Sequence, residues 1–174
     1  MSTAELLLQD FDAEIAGTRR VLERIPDNQP EYKCHDKSMP LGRLAMHVAT
    51  LPIFGKTILT TPAMDMANPD HKFPDMTFST RDNTVATFDT AAADVRVALA
   101  RCSDADLAAP WKFSFGEIVI ANNPRSLSYR SFFFNHLLHH RAQLSVYLRL
   151  NDIPVPGLYG PSADEPFNPA AKPA

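Results

Sequence analysis

Only two cysteines, Cys34 and Cys102, occur in 174 residues, so no disulfide framework is expected. Lys and Arg form no run and the net charge is -3, which argues against a nucleic-acid phosphate footprint. No stretch approaches the roughly 20 apolar residues of a membrane span. The N-terminus does not follow the basic, apolar, small-residue order of a signal peptide. A reducing cytoplasm is therefore the expected setting. With 45% hydrophobic and 21% charged residues, the composition is that of an ordinary soluble domain. A single domain spanning 1–174 has room for a real core.

Four segments carry helical periodicity. The first runs from about Thr3 to Ile25, with Leu7, Phe11, Ile15, Thr18 and Leu22 at three-to-four spacing. Ser2 or Thr3 can cap it and Pro26 ends it. The second spans about Leu41 to Leu59, with Pro40 at or just before its first turn. The third covers about Thr84 to Arg101, and the fourth, the longest and most apolar, about Ser126 to Leu150. The expected fold class is all-α, a four-helix bundle with long connections. The connection from about Thr61 to Ser79 is too long for a simple turn and is expected to pack over one end of the bundle. Partial alternation in Trp111–Phe115 and Glu117–Ala121 around Gly116 predicts a small β-hairpin between helices three and four. From Ile153 onward the tail holds six of the 15 prolines and should run extended, strapped across the bundle.

The most informative stretch is Asn135-His136-Leu137-Leu138-His139-His140-Arg141. Residues four apart on a helix share a face, so His136 and His140 can close on one ion from consecutive turns. At about 100° per residue, His140 falls about 40° from His136, and Tyr129, Phe133, Leu144 and Tyr147 fall in or beside that arc. His139 projects to the other side, as a rim residue. On the second helix, His47 shares its face with Leu44, Leu51, Phe54 and Ile58. A lone buried histidine is usually a satisfied core residue. Three imidazoles on two core-facing stripes instead suggest a metal site with an open position, because buried imidazoles need a ligand or hydrogen bonds.

Two familiar metal motifs are absent. A zincin needs Glu after its first helical His, where Leu137 stands. Di-iron bundles need Glu three residues before His, and Leu44, Phe133, His136 and Leu137 occupy those positions. Three neutral imidazoles leave the cation's charge undiminished, so zinc held this way can bring a water pKa to about 7 or activate a thiol. The ligand type suits Zn, Ni, Fe or Cu alike.

The run from His136 to Leu150, continuing through Ile153-Pro-Val-Pro-Gly-Leu-Tyr-Gly-Pro-Ser-Ala-Asp-Glu165, resembles the DinB family, also called the DinB/YfiT-like metalloenzyme superfamily. The segment Leu41-Gly-Arg-Leu-Ala-Met-His-Val-Ala49 looks like that family's second helix with its single histidine. Ala142 stands where the similar run usually carries Gly. The resemblance implies a four-helix bundle with a divalent metal, often nickel or zinc, held by His47, His136 and His140, with iron also admissible. It further implies a homodimer and, in some relatives, a low-molecular-weight thiol as cosubstrate, as in thiol-dependent S-transferases and maleylpyruvate isomerase-like enzymes. The family name does not imply DNA binding.

Other residues are expected to play lesser parts. Cys34-His35 lacks a second ligand pair. His71 sits in the long connection and should be solvated unless that loop folds over the site. Asn135 lies near the metal face, as do Tyr129 and Tyr147, whose hydroxyls should sit at the edge of the packing. Arg141 projects away from the ligands and should pair with an acidic residue, the tail being one place to find it. Pro52 removes a backbone hydrogen bond one turn after His47. Phe132, Phe133 and Phe134 run around the fourth helix and need several neighbours, a second subunit among them. The expected function is a cytoplasmic metal-dependent enzyme acting on a small molecule by hydrolase-like or thiol S-transfer chemistry. The rival is a non-catalytic metal-binding or stress-response protein.

Overall fold

Ser2 starts the first helix: its hydroxyl accepts from the Glu5 N–H while the Glu5 carboxylate accepts from the Ser2 N–H. This reciprocal cap satisfies two amides that no helical carbonyl can reach. The computed structural model describes residues 1–167. In it α1 spans Thr3–Leu22, α2 Leu41–Thr60, α3 Arg81–Ala100, α4 Asp104–Ala108, α5 Arg125–Ser128 and α6 Asn135–Leu150. Pro26 lies beyond the end of α1, which stops three residues before the expected Ile25. At the start of α3, the Thr80 hydroxyl accepts from Asn83 N, so the helix begins three residues before Thr84.

α2 is the central element. It packs against α3 on one side and α6 on the other, while α1 touches both α3 and α6. Phe11 of α1, Leu44 and Ile58 of α2, Phe88 and Leu99 of α3, and Leu144 of α6 are at most 1% exposed. Each such side chain contributes about 1.5–3 kcal/mol by leaving water. Arg141 is also buried, but its partner is Glu14 of α1, 2.7 Å away, rather than an acidic residue of the tail. The tail supplies the Tyr159 hydroxyl to the same guanidinium. An ion pair so buried fixes how α6 is rotated against α1, because neither charge can be left alone there.

The all-α expectation needs correcting, since three strands form a small sheet in the order β1-β2-β3. β2 (Pro110–Phe115) and β3 (Ile118–Pro124) make the expected antiparallel hairpin, with a bulge between Phe113 and Ser114. Gly116 opens its two-residue turn at φ 58°, a conformation that favours glycine. β1 (Ala63–Asp65), unforeseen, pairs parallel to β2. Three residues are too few for an alternating pattern to register. The Asp65 carboxylate accepts from Gly116 N and Ala67 N, tying the long connection to the hairpin turn.

The fourth helical segment is not one α-helix. Tyr129–Phe134 form a π-helical turn between α5 and α6. One extra residue per turn rotates everything before it by roughly 100° relative to an unbroken α-helix. α6 ends with Asp152 at φ 56°; Ile153 N donates to Leu148 O and Asp152 N to Arg149 O. This pairing of the last carbonyls turns the chain back on itself. Residues 153–167 then run without helix or strand along α1, where Arg20 reaches Gly157 O and Arg24 reaches both Pro154 O and Glu165. The rest of the proline-rich tail, 168–174, lies outside the described residues.

Gly55 shows how closely α2 meets the π turn. A Cβ there would lie 2.6 Å from Cδ1 of Phe133, whose ring is fully buried. Gly55→Ala should therefore destabilise the protein by about 1–3 kcal/mol through overpacking, although alanine favours a helix by about 1 kcal/mol over glycine. Thermal unfolding checks this; a variant more stable than the parent would contradict the packing.

Candidate metal centre

Three imidazoles from two helices converge. His47 Nε2 of α2 lies 3.4 Å from His136 Nε2, which lies 2.8 Å from His140 Nε2 on the next turn of α6. One nitrogen from each ring lies within 4.8 Å of the others, so the group could hold a metal ion. All three rings are half-buried. His136 Nδ1 faces the carbonyl oxygen of Phe132 at 3.3 Å, and His140 Nδ1 faces Gln143 Oε1 at 2.7 Å. A carbonyl oxygen only accepts, so each Nδ1 carries the proton and donates it. Each Nε2 of this pair is then left with a lone pair aimed at its neighbour. Lone pairs 2.8 Å apart repel unless a positive centre lies between them.

A proton is poorly suited to that part. Burial, reinforced by His140, His136 and then Arg43, pushes the His47 pKa down to about 4. Burial also lowers His136 and His140, against the opposing pull of the Phe132 carbonyl and of Gln143. The imidazoles are thus neutral near pH 7, the form that ligates metals. The donor set fits a borderline divalent cation such as zinc or nickel, and the two Nδ1 bonds are the supports that metal-binding histidines usually have.

His47 and His136 stand in the wall of a cavity of about 430 Å³. Leu51 and Phe54 of α2, Phe113 of β2 and Phe132 of the π turn form its sides. Met66, His71 and Phe73 of the long connection close it from above. The connection does pack over the site, and His71 is a half-buried lining residue rather than a solvated one. It is not among the three that converge. His139 is exposed beside His140, at the rim as expected. A second cavity of about 380 Å³ is lined by His140, Gln143, Tyr147 and Cys34.

Several neighbours expected at the metal face are elsewhere. Tyr129 and Phe133 were placed in the His136 arc by α-helical arithmetic, but the π turn rotates them away. Phe133 packs against Phe11 and beneath Gly55, Tyr129 is wholly buried, and Phe132 takes the place beside the trio. The Tyr147 hydroxyl donates to Met39 O, and Asn135 is exposed. Cys34 and His35 are both exposed and are not among the converging ligands, although Cys34 lines the cavity that His140 lines. Hydrogen bonding with Ser38 is the main cause that lowers the Cys34 thiol pKa. Gln143 escaped notice, although its position three residues after His140 puts it on the same helical face.

The depressed histidines predict an acid sensitivity. Their unfolded forms gain a proton near pH 6.5, whereas folded His47 gains one only near 4. The unfolded state binds more protons between those values, so metal-free protein should hold its full stability above pH 6.5 and lose it progressively toward 4. Melting temperatures across that range should fall more steeply for the parent than for His47→Gln. Parallel curves would count against the buried neutral imidazole.

Comparison with known proteins agrees with this fold. The chain is 26% identical over 167 residues to the uncharacterized protein YrdA of Bacillus subtilis strain 168, covering 94% of this chain and 92% of the relative. A DinB-like protein from Bacillus cereus ATCC 10987 superposes with TM-score 0.63 at 21% identity, covering 87% of this chain and 95% of the other. The DinB-like protein YjoA from Bacillus subtilis gives TM-score 0.66 at 17% identity, with 88% and 97% covered. The DinB family model matches residues 1–169, and with the fold and the three converging histidines in place, the chain belongs to the DinB family.

Proposed function

We propose that this protein is a metal-dependent enzyme acting on a small molecule, with His47, His136 and His140 as the ligands of one divalent cation. The framework of the proposal is a four-helix bundle of α1, α2, α3 and the α5–π–α6 rod. The observation that carries the reading is that each of the three histidines lines a cavity, His47 and His136 one of about 430 Å³ and His140 another of about 380 Å³. A structural metal site is closed by protein ligands, whereas a catalytic one keeps a position open to substrate. Imidazole ligands suit several divalent metals, and among them the family resemblance favours nickel or zinc, with iron admissible.

A divalent cation held there would supply Lewis acidity, polarising a substrate and lowering the pKa of a water or thiol that reaches it. The chain's own residues do the rest. Gln143 and the Phe132 carbonyl hold the His140 and His136 rings with their Nε2 atoms forward. Apolar side chains make up most of the cavity lining. No carboxylate lies among the lining residues, so no side chain there competes for the positive charge or serves as a carboxylate base. Hydrolysis and thiol S-transfer both fit this arrangement. A cytoplasmic setting accords with the absence, among the described residues, of any helix long and apolar enough to cross a membrane. A homodimer is part of the proposal, supported by the exposed apolar residues Phe115, Ile118, Val119 and Ile120 along the hairpin.

Elemental analysis of tag-free protein should find close to one divalent ion per chain, and His136→Ala should find almost none. Full occupancy in that variant would refute the ligand assignment. Gln143→Ala should keep the ligands but weaken zinc binding by about ten- to a hundredfold, since the His140 ring loses its partner; unchanged affinity would show that the hydrogen bond orients nothing. The chemistry is decided by offering activated esters and alkylating electrophiles to metal-loaded protein with and without added thiol. Turnover that requires thiol identifies a transferase, turnover in water alone a hydrolase, and turnover of neither removes the catalytic part of the proposal.

A further inference from the structure

The cavity beside the trio selects a kind of molecule. Its sides come from four separate elements: Leu51 and Phe54 of α2, Met64 of β1, Phe113 of β2 and Phe132 of the π turn. Phe113 sits at ring-to-ring distances of 5.6 Å from Phe54 and 5.3 Å from Phe132, so one side is a continuous aromatic surface. Met66, Phe73 and Met76 extend the apolar lining over the top. Methionine side chains adapt to the shape of what they cover.

The polar groups are few, and most are already engaged. Thr50 Oγ1 donates to Met46 O at 2.9 Å, and Thr57 Oγ1 donates to Ile53 O at 3.1 Å. Both hydroxyl protons are thus spent on their own helix. Beyond His47 and His136, the side chains among the described lining residues that are free to donate to a ligand are those of His71 and Lys72, and no carboxylate is there to accept from one. A polyhydroxylated or peptide-like molecule would surrender its hydrogen bonds to water and find few replacements. A cationic molecule would meet no negative charge. At about 430 Å³ the space is of the size that holds a small organic ligand.

We infer that the cavity takes a compact, ring-bearing apolar molecule with a single neutral or anionic head, rather than a sugar, a nucleotide or a peptide. The position of that head against the trio rests on the metal reading above; the apolar body rests on the lining alone. The ring system lies along Phe54, Phe113 and Phe132, under the methionine roof, and the head points toward His47 and His136.

The test is a titration of chelator-treated full-length protein with the neutral naphthalene dye prodan, read by the blue shift of its emission. Saturation at one dye per chain is expected. Met66→Asp and Met76→Asp, each putting a carboxylate on the half-buried roof, should each weaken binding by about tenfold or more. Val97→Asp, exposed on α3 and outside this cavity, should leave the affinity unchanged. Circular dichroism shows which variants are folded, and either roof variant alone suffices. No saturable binding, or equal affinity across folded roof variants and parent, would overturn the inference. Zinc titration of the same proteins separates the two readings. Zinc uptake without dye binding removes the apolar ligand and leaves the metal centre standing; dye binding without zinc uptake does the reverse.

Discussion

Two imidazole nitrogens, each with its proton turned outward to a carbonyl or amide oxygen, face one another across 2.8 Å inside the helical core, and a third stands 3.4 Å from one of them. Electrostatics makes such a cluster uncomfortable when bare. Burial resists adding protons to relieve it, as the descent of the His47 pKa to about 4 shows. A divalent cation satisfies all three lone pairs at once. The surrounding structure can be understood as what keeps this arrangement from relaxing.

That restraint is distributed over the helices. The absence of a side chain at Gly55 lets α2 approach the π turn until the Phe133 ring fills the gap, which sets the distance from His47 to α6. The buried Arg141–Glu14 pair sets the rotation of α6 about its own axis, one residue after His140. The π turn brings Phe132 rather than Phe133 to the cavity and offers the Phe132 carbonyl to His136. The sheet contributes from the far side, with Phe113 in the cavity wall and Asp65 tying the roof segment to the hairpin turn.

The convergence of His47, His136 and His140 was legible because each lies on an apolar helical stripe, and a buried polar group on such a stripe needs a partner. The four helical segments and the hairpin were legible for a similar reason, since their periodicities differ. The neighbours of the trio were not. α-Helical arithmetic holds within α6, where His136 and His140 lie, and fails across the π turn, so Tyr129 and Phe133 were assigned to the wrong face. No periodic pattern announces a π turn. That Arg141 needs an acidic partner was legible, but its identity as Glu14 was not, because nothing in the sequence shows that α1 lies against α6. β1 and the methionine roof belong to a connection whose conformation depends on long-range contacts rather than local pattern. Gln143 was within reach of helical spacing and needed only the question of what holds the His140 Nδ1 proton.

X-ray absorption at the zinc edge, on tag-free protein loaded with one equivalent of zinc, probes the three-imidazole centre most directly. Three nitrogen scatterers at about 2.0–2.1 Å, with the outer-shell pattern of imidazole rings and a further light-atom ligand, are the expected result. A sulfur scatterer, or fewer than three imidazoles, would contradict the centre described here.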